Sequence, residues 1–323
     1  MKRAIIFFFI FTATVAISMV LIPENSNFTK ADTSIFLATD STNDYTQEYE
    51  IIDSVYRTNT TVRFHKENRI MITNSLPNHA TGTFPNAGNP NRIRPQNKRY
   101  VFPLEPKMSG EVKPARVPGV ALNGVKFEPG TAERFICESG EVYQLEAFQD
   151  LMDLGLDSNN AHVQPTGEYH YHGIPTEFIN TLSSNQDLVL VGFAMDGFPM
   201  YYSKSGKYQP SYQLSEESRT GEACDLHNPH NHLSKDLDQT NADGTFVSDW
   251  EFIEGSGDLD ECNGITLNGK YIYLVTKEYP YVSRCLKGEF KEVNPPHPPG
   301  IQHPAGPPPG GIPHGHPHGH GHH

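Results

Sequence analysis

Two imidazoles stand two residues apart in Gly167-Glu168-Tyr169-His170-Tyr171-His172-Gly173, with phenol rings at the alternate positions and glycines at both ends. Aromatic residues favour a pleated, half-buried surface, so the run predicts a short β-strand. On a strand, residues i and i+2 share a face. His170 and His172 then project together while Tyr169 and Tyr171 pack on the other side. Neutral imidazole binds copper and zinc well, but such sites need three or four ligands. His162 lies just upstream, across the turn at Thr166-Gly167. Pairing of Ala161-His162-Val163 with the strand would bring it beside the other two. The expected centre is a three-nitrogen site for copper or zinc with a position left open.

Other residues are candidates for supporting roles. His227, His230 and His232 form a looser cluster in a polar loop. Asp196 and the group Asp258, Asp260 and Glu261 are turn residues. Asp196 or Asp260 is also a candidate to orient a ligating histidine or to act as a base. The C-terminal tract carries His297, His303, His314, His316, His318, His320, His322 and His323, a composition that holds zinc, copper or nickel loosely and in exchange. The chain shows no Gly-x-Ser-x-Gly elbow, phosphate loop, dinucleotide fingerprint or His-Glu-x-x-His.

The elements that must position these groups are mostly strands. Asp187 to Phe193 is the most apolar run after the N-terminus and reads as a buried strand ending in the turn Asp196-Gly197. Gly119 to Phe127 reads as a hairpin with Asn123-Gly124 as a type I′ turn. Tyr100–Pro103, Trp250–Ile253 and Tyr271–Val275 are further strands, whereas residues 76–91 are dense in Asn, Gly and Pro and must be loop. Leu145, Phe148, Leu151, Met152 and Leu154 predict one short helix between Gln144 and Leu156, closed by Gly155, and helix formers recur at Ser215-Glu216-Glu217. The expected fold is a mostly β single domain with a few short helices, spanning residues 50–290 and without an internal repeat of fixed period.

The flanks have other compositions. Lys2 and Arg3 precede an uncharged apolar stretch to Ile22, which reads as a secretory signal or an uncleaved anchor over residues 4–22. Residues 23–49 are a polar linker, and residues 291–323, almost entirely Pro, Gly and His, form a tail unable to bury apolar surface. The expected location is secreted or extracytoplasmic, with membrane contact only through the N-terminal segment. A net charge of -13 argues against nucleic acid as a partner. In an exported protein, Cys137, Cys224, Cys262 and Cys285 suggest two disulfides. Proximity in sequence favours Cys262–Cys285 and Cys137–Cys224.

Taken together, the residues resemble the YHYH-domain family of exported proteins. The resemblance is carried by Tyr169–His172 and by Phe84-Pro85-Asn86, Gly119–Val125, Glu128–Glu133, Asp153–Asp157, Ala161–Gly167, Gly192–Pro199, Gly255–Gly264 and Glu278–Tyr281. Some members look as if they carry a second Tyr-His-Tyr-His, where this chain has Tyr271-Ile272-Tyr273-Leu274. The resemblance fixes the domain more than the activity. The leading expectation is an exported copper- or zinc-binding protein with the tail as a loose reservoir. The alternatives are a metal-dependent hydrolase or oxidase using the same site, and a non-metal module whose tyrosine-rich face binds carbohydrate or a protein.

Overall fold

The computed structural model describes residues 44–227 and 232–290. The N-terminal apolar segment, nearly all of the linker, His230, and the tail with its histidines from His314 to His323 lie outside the described residues.

The apolar run Leu188–Ala194 is paired on both edges within an eight-stranded sheet. The strand order is Ala161–Val163, Tyr169–Tyr171, Lys126–Phe127, Gly119–Ala121, Leu188–Ala194, Pro199–Ser203, Lys270–Val275 and Gly264–Leu267. The middle pair aligns Gly192 with Ala121, Phe193 with Val120 and Ala194 with Gly119. That register is symmetric about Val120 and Phe193, and the symmetry continues outward on both sides. Each middle strand turns through a hairpin. Each returning strand then runs parallel to one strand of a second hairpin, Tyr169–Tyr171 on one side and Lys270–Val275 on the other. The sheet is therefore two matched halves related by an approximate twofold axis.

The two middle hairpins are built alike, and neither has a type I′ turn. Ala121 N–H bonds Val125 C=O and Gly124 N–H bonds Ala121 C=O, as Ala194 does with Phe198 and Gly197 with Ala194. Only the glycine of each Asn-Gly or Asp-Gly pair has positive φ, 88° at Gly124 and 92° at Gly197. The loop is the three-residue kind, with a left-handed residue after a tight turn. A Cβ at Gly124 would lie 2.0 Å from Thr73 Oγ1, so close packing demands glycine there as well. The preceding Asn or Asp caps the next amide in both copies, Asn123 Oδ1 to Val125 N and Asp196 Oδ1 to Phe198 N.

A meander of four strands, Tyr49–Asp53, Thr58–His65, Asn68–Thr73 and Lys98–Pro103, packs against the first of these turns. Tyr49 donates to Leu122 C=O at 3.0 Å and Thr60 to Asn123 C=O at 2.7 Å. Tyr169, Tyr171, Tyr273, Phe102 and Phe127 are among the largest wholly buried side chains of the main core. A smaller core of Phe135, Tyr143, Leu145, Leu154, Leu226 and Phe246 underlies the sheet Ser234–Lys235, Cys224–Leu226, Arg134–Ile136, Val142–Gln144. Disulfides join Cys137 to Cys224 and Cys262 to Cys285, the pairing predicted from proximity.

No helix forms over Gln144–Leu156. Leu145 and Leu154 are buried in the smaller core, but local side-chain bonds replace helical ones. Gln149 both donates to Met152 C=O and accepts from Met152 N, and Asp153 accepts from Gly155 N, whose residue has a φ of 67°. Competition of this kind is why such side chains favour turns. Ser215-Glu216-Glu217 is likewise not helical. The single α-helix of the described residues is Thr176–Thr181, which the sequence did not predict. No described helix is long and apolar enough to cross a membrane.

Candidate metal centre

His162, His170 and His172 come together as predicted. Ala161–Val163 pairs antiparallel with Tyr169–Tyr171, and His162 sits directly opposite His170. Strand alternation puts His172 on the same face. The three ring centroids are 4.7–4.8 Å apart, and one nitrogen from each ring lies within 4.8 Å of the others. Three nitrogens about 2.0–2.1 Å from one ion lie about 3.6 Å apart when they share a plane with it. The centre therefore closes with a shift of about 1.2 Å at its widest pair. His170 and His172 are 2% and 1% exposed; His162, on the edge strand, is half-buried.

The other nitrogen of each ring faces a backbone carbonyl: His162 Nδ1 at 2.8 Å from Leu154 O, His172 Nδ1 at 3.3 Å from Pro129 O, and His170 Nδ1 at 3.4 Å from Glu168 O. Each carbonyl accepts the Nδ1 proton and leaves Nε2 as a lone pair, which fixes tautomer and orientation as in known metal sites. His162 Nε2 and His172 Nε2 then face each other at 3.1 Å as two acceptors. Turning one tautomer over satisfies that contact only by setting an Nδ1 lone pair against a carbonyl oxygen. A shared cation satisfies every contact at once.

Protonation does not provide the cation. Burial holds His162, His170 and His172 below the ordinary histidine value, His170 and His172 well below it; His170 also meets the charge of His172 and His162, and His172 that of His162. Histidines neutral in the fold but protonated in the unfolded chain bias the equilibrium toward unfolding in acid. The metal-free protein is expected to lose stability as pH falls below about 6.5, the value of a free histidine. His170→Ile with His172→Leu is expected to remove much of that slope. Urea denaturation at a series of pH values checks this; an unchanged slope contradicts a neutral triad.

A charged network on the same face was not anticipated. Lys126 sits beside His170 in the parallel pairing, and its amine lies 2.6 Å from Glu128, 3.0 Å from Gln164 and 3.4 Å from Glu168. Arg116 and Lys98 complete the pairing of Glu128 and Glu168 from the outside, at 2.6 and 2.9 Å. The signal was present in Val125-Lys126-Phe127-Glu128: period-2 alternation sets Lys126 and Glu128 on the face opposite the buried Phe127.

The second half repeats the scaffold without this chemistry. In the hairpins Ala161–Tyr171 and Gly264–Tyr273 the partners Ala161↔Tyr171 and Gly264↔Tyr273 correspond. His162, His170 and His172 are matched by Ile265, Ile272 and Leu274. Asn160 C=O accepts from His172 N as Asn263 C=O does from Leu274 N, and the Tyr169 and Tyr271 hydroxyls bond Asp157 and Asp260 alike. Register places Pro199 and Tyr201 where the first half has Lys126 and Glu128. The burial matches too: Ile272 and Leu274 are each 1% exposed.

Asp196 and Asp260 belong to that second half. Asp196 is wholly buried and accepts from Tyr273 OH at 2.6 Å, Gly288 N at 3.0 Å and Phe198 N at 3.2 Å; Asp260 accepts from Tyr271 and pairs with Lys287. The acceptors behind the three imidazoles are backbone carbonyls and not these carboxylates. Asp196→Ala is expected to cost about 2–4 kcal/mol of stability, since it orphans buried donors, with metal content unchanged. Thermal denaturation and elemental analysis check both halves; lost metal in a folded variant would return Asp196 to the site. His227 and His232 are exposed and stand outside the convergent histidine set. Tyr169 and Tyr171 have no exposed surface, so the tyrosine face cannot serve as the binding surface considered for a non-metal module.

The sequence model of the YHYH protein family matches residues 99–288, which leaves out the first three strands of the meander. Comparisons with curated proteins and with solved structures found no match. The matched span covers the whole eight-stranded sheet and the histidine centre, and the chain belongs to the YHYH protein family.

Proposed function

We propose that the protein is an extracytoplasmic transition-metal binder whose centre is His162, His170 and His172. The observation that carries this is the contact of His162 Nε2 with His172 Nε2 at 3.1 Å while both Nδ1 atoms face carbonyls, an arrangement of lone pairs that a cation completes. The apolar second copy supports it, because the same backbone is built with Ile265, Ile272 and Leu274 in place of the histidines. The fold therefore does not require imidazoles there. Export is supported by the apolar N-terminal sequence and is compatible with the two disulfides.

The test is elemental analysis of the full chain after loading with copper or zinc and dialysis against a weak chelator. The native chain is expected to retain one equivalent more than the His170→Ala chain. Equal retention by the two chains would remove the metal reading, since any metal held by the tail is common to both.

A further inference from the structure

Imidazole serves copper and zinc alike, so coordination number and charge decide between the two ions. Among the described residues the convergent set holds three histidines and no carboxylate or thiolate. Zinc fills four positions, so three histidines hold it only with a water or other small ligand in the fourth, whereas copper(I), a closed-shell monovalent ion, is satisfied by three. Depth acts in the same direction. His170 and His172 are 2% and 1% exposed, and the cost of taking an ion out of water grows with the square of its charge, so a monovalent ion meets about a quarter of the divalent penalty.

The fixed charges near the two buried rings are balanced. Lys126 and Arg284 are the ionised side chains that act on His170 and His172, and each is paired, Lys126 with Glu128 and Glu168 and Arg284 with Glu146. A bound ion's own charge is therefore not offset by an unpaired anion there. The carboxylates of Glu133, Glu128 and Asp157 act instead on His162, the half-exposed ligand at the sheet edge. The groups behind the imidazoles are neutral carbonyls, so none supplies a compensating negative charge.

We infer that His162, His170 and His172 form a three-coordinate copper(I) centre, selective for the monovalent ion over zinc(II). This rests on the metal reading above and narrows it to one ion and one oxidation state.

The experiment is an anaerobic titration of the full chain and of the chain carrying His162→Ile, His170→Ile and His172→Leu. Copper(I) is supplied in competition with bicinchoninate, and zinc(II) in competition with a zinc indicator. Any binding by the tail is common to both chains, so the difference isolates the centre. The native chain is expected to take one additional equivalent of copper(I), held about 100-fold or more tightly than any additional zinc(II). X-ray absorption of the native chain loaded with one equivalent of copper(I) is expected to show three nitrogen neighbours. Additional zinc(II) held as tightly as copper(I), or a four-coordinate copper spectrum, overturns the copper(I) assignment and leaves the metal reading standing. No additional equivalent of either ion overturns both. If the triple variant does not fold, His162→Gln at the half-exposed position replaces it, with the same outcomes read from the loss of one ligand.

Discussion

Replacing His162 by Ile, His170 by Ile and His172 by Leu is expected to give a folded protein at least as stable as the metal-free native chain, with the centre's metal binding abolished. The substitution copies the second half of the same sheet, where Ile265, Ile272 and Leu274 occupy the corresponding places at closely similar burial. Replacing a buried polar cluster by well-packed apolar residues of similar volume is often neutral or stabilising by about 1–4 kcal/mol. Here the imidazoles also carry an unsatisfied contact between His162 and His172. A gain of about 1–3 kcal/mol would raise the melting temperature by several degrees, at about 2–4 °C per kcal/mol for a domain of this size. Calorimetry of the two metal-free chains measures it. A variant that fails to fold, or melts well below the native chain, would show that the histidines are needed to build the sheet, and the comparison between the halves would lose its force.

Lys126→Ala is expected to have the opposite effect, a loss of about 3–5 kcal/mol, because removing one member of a buried ionic cluster leaves its partners uncompensated. Glu128 and Glu168 are both 3% exposed, and among the described residues Lys126 is the one cation in contact with both. Arg116 and Lys98 each reach only one of the two carboxylates, Arg116 from an exposed position and Lys98 from a partly exposed one. Glu168 already has one buried oxygen without a partner, so the network has little slack. Urea denaturation of the metal-free chain reads the effect. A loss under about 1 kcal/mol would mean that the outer cations suffice and that Lys126 serves the face in some other way.

The histidine centre was legible because its information is local. Period-2 alternation fixed the shared face of His170 and His172, and a short turn between two strands fixed the arrival of His162. The buried strand at Leu188–Ala194 and the cysteine pairs were legible for similar reasons. Two features were not. The duplication was hidden because the loops joining matched elements differ in length, so no fixed period exists. It survives in short matches such as Gly119-Val120-Ala121-Leu122-Asn123-Gly124 with Gly192-Phe193-Ala194-Met195-Asp196-Gly197, and Leu156-Asp157 with Leu259-Asp260. The segment Gln144–Leu156 misled because its apolar spacing fits a helix, while Gln149, Asp153 and Gly155 bind the backbone locally in a different shape. Apolar periodicity reports which residues are buried; it does not report which backbone buries them.

The duplication also accounts for the roles of Asp196 and Asn123. Each caps the turn of its own hairpin, and each meets the hydroxyl of the second tyrosine in its half, Tyr273 at 2.6 Å and Tyr171 at 3.0 Å. His79 reaches the Tyr171 hydroxyl as well, at 2.6 Å, where the second half uses Lys287 N–H at 2.8 Å. The tyrosines of the motif therefore anchor the sheet on one face, which frees the other for the histidines.

The most direct test is an anomalous difference map, measured above the copper absorption edge from crystals of the copper-loaded full chain. A single peak about 2 Å from Nε2 of His162, His170 and His172 is the predicted result. Density for copper elsewhere on the chain, with none among these three rings, would contradict a metal centre in the sheet.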